Sequence, residues 1–283
     1  MEKITLTVLF VLMCIITIFS GLLIHSFLNS LPSSNQNNDR NVNQNPQQTI
    51  NRTFSFKAAI IDHLSESDPN PVFIKIATNV LKTCSFTVDY YPSDKVTIDL
   101  YRSLAAYDYG LIIFRVHSGR EPVTFFFSGE PYNTTAYIPE QLTGQIGQGL
   151  IPDQEPTSFT VRPLLINYAM RGSFCKTVII AMGCGSLHTT EMAEAFIEKG
   201  AAAYIGWNAS LYAFHGDLAT ISVMKHLLLE RGTVNEAVDA AMKEVGPCQA
   251  NEPGTISVLS FYPFSSENYT IPYATNSSQT SSS

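Results

Sequence analysis

Short, uninterrupted apolar runs alternate along this chain with stretches whose apolar positions recur every three or four residues. Lys57 to Asp62, Phe86 to Tyr91, Gly110 to Val116, Val178 to Met182, Ala201 to Ile205 and Ile256 to Tyr262 read as strands. The continuous apolar character of Val178 to Met182 predicts a strand covered on both faces. Between the strands, Asn70-Pro71 supplies a helix cap and first residue, with Phe73, Ile76, Ala77, Val80 and Leu81 at helical spacing. Thr97 can cap a second helix carrying Ile98, Tyr101, Leu104 and Ala105 on one face. Thr189 or Thr190 can cap a third, with Glu191 and Glu194 at its positive end and Gly200 as its stop. Gly216-Asp217 leads another through Met224 and Leu228, and Thr233-x-x-Glu236 is a capping box for one ending at Gly246-Pro247. The stretch from Arg120 to Ser173 is less regular. Val123 to Ser128 and Glu130 to Tyr137 predict a hairpin around Ser128-Gly129, Gly144 to Pro152 a loop, and Pro163 to Met170 a short helix. Alternating strands and helices predict one α/β domain over residues 54–272.

Outside that domain the pattern changes. Ile4 to Ile24 carries no charged side chain and is long enough to cross a bilayer, so residues 1–28 read as an N-terminal transmembrane anchor. No Ala-x-Ala-like cleavage site follows. Lys3 precedes the span, which puts the N-terminus in the cytoplasm and the domain outside, in a single-pass cell-membrane arrangement. Were the segment cleaved, the domain would be secreted, so both readings export it. Residues 29–53, rich in Asn, Gln, Ser and Pro, read as a disordered tether, and residues 273–283 as a disordered Ser-rich tail.

Charge narrows the function further. A net charge of −7 without a basic cluster excludes nucleic acid as a partner. Five N-glycosylation acceptor patterns, at Asn51, Asn133, Asn208, Asn268 and Asn276, agree with export. Of the five cysteines, Cys14 lies in the apolar span; one disulfide is expected among Cys84, Cys175 and Cys248, with the pair left open. No Cys-x-x-Cys pair exists, so no structural zinc is expected, and nothing in the sequence calls for a cofactor. His188, four residues after Cys184, has metal-pair spacing but lacks further ligands and reads as a loop residue.

The candidate chemistry lies at two strand ends. His117 closes the third strand and Cys184, flanked by Gly183 and Gly185, the fourth. In parallel sheets ligands meet the carboxyl ends of strands. If these two are neighbours, their backbones run about 4.8 Å apart and the imidazole and thiol come within reach. That pair suits nucleophilic catalysis: the thiolate attacks a carbonyl and the imidazolium protonates the leaving amine. Glycines at 119, 183 and 185 let a substrate backbone approach, and amides there can hold an oxyanion. Trp207 and His215 lie on the same rim and are candidate substrate-binding residues. His63 ends the first strand, at a different position from Cys184, and is the weaker partner.

At these residues the chain resembles the caspase-like cysteine peptidases: caspases, metacaspases, legumain, gingipains and CHAT-domain proteins. The resemblance rests on a strand ending in His with Gly close behind (Phe114-Arg-Val-His117-Ser-Gly119) and another ending in Cys (Ile179-Ile-Ala-Met-Gly-Cys184-Gly-Ser). The stretch Ala193 to Trp207 and the helix from Thr233 look like the gingipain and CHAT versions. The family implies a three-layer sandwich on a mostly parallel six-stranded sheet, ordered 2-1-3-4-5-6, with helices on both faces. It also implies a His117–Cys184 dyad, with the Gly119 and Cys184 amides as oxyanion donors. Two departures stand out: relatives often have Gly directly after His, where this chain has Ser118, and Ala before Cys, where it has Gly183. The expected activity is that of a membrane-anchored extracytoplasmic cysteine endopeptidase acting on a peptide or protein substrate. The alternative is a degenerate domain of the same fold kept as a surface binding or adhesion module. A flavodoxin-like binding domain fits less well, because Asp62-His-Leu-Ser-Glu-Ser after the first strand is acidic and glycine-free.

Overall fold

The computed structural model describes residues 53–120, 122–151, 156–250 and 254–273. The expected anchor, tether and tail, including Ile4 to Ile24, lie outside the described residues, apart from Thr53 and Tyr273. Among the described residues no helix is long and apolar enough to cross a membrane.

The main sheet is built from β1 (Lys57–Asp62), β2 (Thr87–Pro92), β3 (Leu111–Arg115), β8 (Thr177–Met182), β9 (Ala201–Trp207) and β10 (Leu259–Tyr262). They lie in the order β10-β9-β8-β3-β1-β2, with every pair parallel except β9 and β10. Numbered among themselves, the six strands follow the expected order 2-1-3-4-5-6. Every residue of β3 and β8 is buried, which is why both runs carry no polar alternation.

Helices cover both faces, an arrangement consistent with a caspase-like three-layer sandwich. On one face, Ile60, Ile113, Ile180 and Ile205 pack in a core with Phe73 and Leu81 of α1 (Pro71–Thr83), Val223 of α6 (Ala213–Met224) and Val238 of α7 (Val234–Glu244). On the other, Ile61, Phe114, Ile179 and Tyr204 pack with Tyr101 of α2 (Ile98–Ser103), Leu165 of α4 (Pro163–Ala169) and Phe196 of α5 (Glu191–Glu198). Three caps act as read from sequence. Asn70 accepts from the Phe73 amide, Thr97 from the Leu100 amide, and Thr233 and Glu236 close a full capping box. The cap expected at α5 does not form: Thr190 has helical dihedrals and its hydroxyl donates to Glu194 instead.

The irregular region folds differently from expectation. Rather than a hairpin about Ser128-Gly129, residues Phe125–Pro131 run through as one strand, β5. Gly129 is required by contact, not by a turn, since a Cβ there would lie 1.8 Å from the Ser93 carbonyl oxygen. The expected loop contains a strand, β6 (Ile146–Gly149), paired with β7 (Ser158–Val161). With β4 (Ser118–Gly119) these form a second, antiparallel sheet in the order β4-β5-β7-β6. The second sheet begins directly after His117, so it braces one side of the candidate site.

No disulfide joins Cys84, Cys175, Cys184 or Cys248, which corrects the expected bridge. Cys84 caps α1 against the core of the α1 face, whereas Cys175 follows Phe174 of the opposite core. Cys248 pairs through its backbone with Ser257, whose hydroxyl reaches Ala209 just beyond the carboxyl end of β9. Cys84 and Cys248 share the α1-face core, and Cys175 adjoins the opposite one.

Candidate active site

The parallel register of β3 and β8 sets Arg115 opposite Met182. The Val116 amide extends the ladder by donating to the Met182 carbonyl at 3.3 Å. Two residues beyond that register pair come His117 and Cys184. Side-chain parity points them the same way: Leu111 and Ile113 of β3, and Val178 and Ile180 of β8, all enter the core under α1 and α6. Arg115 and Met182 keep this direction, reaching Asp217 and Gly216 of α6. The imidazole and the thiol therefore stand on adjacent strand ends, on the same side of the sheet, both half-buried.

The next residues lock the two ends together. The Ser118 hydroxyl donates to the Cys184 carbonyl at 2.8 Å. A Cβ on Gly183 would lie 2.4 Å from the Ser118 oxygen and 2.8 Å from the Val116 carbonyl. Ser118 and Gly183 thus explain one another: the serine side chain fills part of the space a larger residue at 183 would need. After Cys184 the chain turns through Gly185 at φ +60°, a left-handed value natural to glycine. The Gly185 amide donates to Ala209 at 2.8 Å and the Ser186 amide to Gly183 at 3.1 Å. The Ser186 hydroxyl reaches Ala181 and accepts from the Trp207 amide. The Cys184 thiol donates to the Leu211 carbonyl at 3.5 Å.

His117 is held from several sides. Its ring meets His63 edge to face at 5.6 Å and Phe127 at 6.2 Å, and its Nε2 lies 3.4 Å from the Ser67 hydroxyl. Burial pushes its pKa below the ordinary imidazole value, against the pull of the Asp68 charge and with some help from Arg115. His63 is only 6% exposed, and its Nδ1 has no hydrogen-bond partner among the described residues. Burial, with His117 facing it, takes its pKa down to about 4. The sequence offered His63 as a weaker partner for Cys184. It touches His117, not Cys184.

Beneath the histidines lies a buried ionic network that sequence reasoning missed. Arg115, fully inaccessible, gives Nε and Nη2 to the two carboxylate oxygens of Asp217 at 2.8 and 3.1 Å. Its Nη1 reaches Asp62 at 2.9 Å and its Nη2 the Asp68 carbonyl at 2.8 Å. Tyr90 donates to Asp62 and Asn70 to Asp217. Burial raises the Asp62 pKa above its ordinary value even against Arg115. A charged residue inside the run Leu111-Ile-Ile-Phe-Arg115-Val was the available signal, because a guanidinium in a buried strand has to be paired.

Three expected roles need correction. Trp207 does not wall a substrate pocket; it is 1% exposed and packs in the core against His215. His215 does not face substrate either, since its Nε2 bonds the Gly246 carbonyl at 2.9 Å and fixes the start of α6. Gly119 is the ladder partner of Phe125 in the second sheet, which takes its backbone away from the expected oxyanion role. His188, exposed, bonds Asn208 through Nδ1 at 2.9 Å. Among the described residues no cluster of three or more His, Cys, Asp or Glu could hold a metal.

Two outcomes test this description. Gly183→Ala overpacks the strand ends and destabilises the protein by about 1–3 kcal/mol, and Ser118→Gly opens part of that space. In urea unfolding the double variant is therefore less destabilised than the sum of the singles; strict additivity contradicts the contact. The second outcome concerns pH. His63 is tolerated only neutral in the folded state, titrating at about 4 there against 6.5 when unfolded. Its contribution is intact above pH 6.5 and is lost as pH falls towards 4, amounting to roughly 3 kcal/mol. His63→Leu removes that part of the acid sensitivity; parallel curves for the two proteins contradict it.

No protein-family model matches the sequence, and a search of curated proteins finds none that matches it, so the functional reading rests on the residues and geometry above.

Proposed function

We propose that the protein is a cysteine endopeptidase of the caspase–gingipain type, with Cys184 as nucleophile and His117 as its acid–base partner. The observation that carries this reading is that His117 and Cys184 each follow by two residues the last register pair of neighbouring parallel strands, whose ends Ser118 ties together. A depressed imidazole pKa supports it, because a neutral His117 can take a proton at neutral pH. In the resting site the thiol proton is engaged by Leu211. For reaction the thiol turns to His117 and gives up its proton, and the thiolate attacks the scissile carbonyl carbon. The Cys184 amide serves the resulting oxyanion. His117 then returns the proton to the leaving amine as the carbon–nitrogen bond breaks. Water, deprotonated by the same imidazole, resolves the thioester and frees the acid.

The same proposal puts the domain outside the cytoplasm on the N-terminal apolar segment. The three acceptor asparagines among the described residues, Asn133, Asn208 and Asn268, are all exposed, which supports this. Protease added to intact cells removes the domain; full protection contradicts the topology.

Peptide hydrolysis by the full-length protein in detergent tests the chemistry. Cys184→Ala abolishes turnover, and His117→Ala lowers kcat by about a hundredfold to ten-thousandfold. The double variant is little worse than either single one, because the two act as a unit. His188→Ala keeps most activity. The acid limb of kcat/KM falls below the ordinary histidine value of about 6.5. Activity that survives in folded His117→Ala overturns the dyad. A parent protein inert towards every peptide favours the binding-module alternative.

A further inference from the structure

Beside the strand ends lies a cleft of about 420 Å³ between the first turns of α1 and α6. One wall carries Val72, Phe73 and Ile76; the other carries Phe214, Leu218 and Ile221. Much of this apolar surface is open to water: Phe214 is 67% exposed, Val72 64% and Leu218 46%. Large apolar side chains facing each other across an open cleft on two rigid helices form a ready site for apolar ligand surface.

Each wall is preceded in sequence by a residue that touches the candidate dyad. The α1 wall follows Ser67, whose hydroxyl lies 3.4 Å from His117 Nε2, and Asp68, whose charge acts on that ring. The α6 wall follows Leu211, whose carbonyl accepts the Cys184 thiol. A chain lying across Cys184 therefore has a neighbouring side chain within reach of the cleft.

Charge decides what that side chain is. The buried carboxylate in the cleft, Asp217, is already bound by two guanidinium nitrogens of Arg115 and by Asn70. Among the described residues no cationic side chain lines the cleft to receive an acidic group. A basic group entering past Phe214 and Val72 loses water and finds Asp217 compensated; the remaining carboxylate, on Asp68, is exposed. An apolar side chain meets neither cost.

We propose that this cleft is a specificity subsite for a large apolar side chain, such as Leu or Phe, next to the scissile bond. The proposal rests on the dyad reading for its substrate but not for its binding.

The test uses full-length protein in detergent and peptides identical except for Leu, Phe, Arg or Asp before the cleaved bond. The Leu and Phe peptides are preferred in kcat/KM by about tenfold or more. Val72→Ser with Phe214→Ser removes that preference while leaving the thermal unfolding temperature near its parent value, since both residues are exposed. A parallel titration measures binding of the same peptides to Cys184→Ala, with and without the two serine substitutions. Tighter binding of Leu and Phe peptides that is lost with the substitutions upholds the subsite even if nothing is cleaved; in that case only the peptidase reading fails. Preference for the Arg peptide that depends on Asp68, or equal binding of all four peptides, overturns the subsite. So does an apolar preference unchanged by the substitutions.

Discussion

A guanidinium with no access to water ties together the parts of this domain that matter for chemistry. Arg115 lies in β3, Asp62 ends β1 beside it, Asp217 lies in the first turns of α6, and the Asp68 carbonyl belongs to the loop entering α1. Asn70, the α1 cap, also holds Asp217, so the starts of both helices are referred to one side chain. Such a cluster gains little over an apolar replacement, because removing three charges from water costs about what their attraction returns. Breaking it is another matter: loss of one partner leaves a buried charge and typically costs about 3–5 kcal/mol. Its value here is positional, since His117 follows Arg115 by two residues and both walls of the cleft start at its ligands.

The thiol side is held by close packing and short hydrogen bonds. Ser118 reaches across to the Cys184 carbonyl, Gly183 leaves the room for it, and the left-handed Gly185 carries the chain onward to bond Ala209. Ser186 then fixes Ala181 and Trp207 together, joining the end of β8 to the end of β9. His117 thus leans on the ionic cluster and Cys184 on close packing, and Ser118 ties the two ends together. Their mutual placement depends on the β3–β8 ladder between them.

The strands of the main sheet, and the places of His117 and Cys184 just past two of them, were legible because both are local patterns. A parallel strand buried on both faces has to be a short apolar run, and Val178–Met182 could be little else. The three side-chain caps that form are likewise written in neighbouring residues. What was not legible depends on distant partners. Gly129 looks like a turn in sequence, and only the Ser93 carbonyl beside it explains a glycine in mid-strand. Trp207 is a strand-end residue like Cys184, yet the helix crossing at His215 makes it core. His63 touches His117 because β1 lies beside β3 with Asp62 opposite Arg115, a register that no periodicity reveals. Arg115 was visible as an anomaly in its own run, but its partners lie 53 and 102 residues away.

The central claim is that His117 controls the reactivity of the Cys184 thiol. The most direct measurement is the rate of Cys184 alkylation by iodoacetamide across pH in the folded full-length protein, read by mass spectrometry at each cysteine. The account predicts that Cys184 is modified fastest, with a step in its rate where His117 titrates, and that His117→Ala removes the step and slows the reaction. A Cys184 rate that follows a simple thiol titration, identical in the parent and in folded His117→Ala, would contradict it.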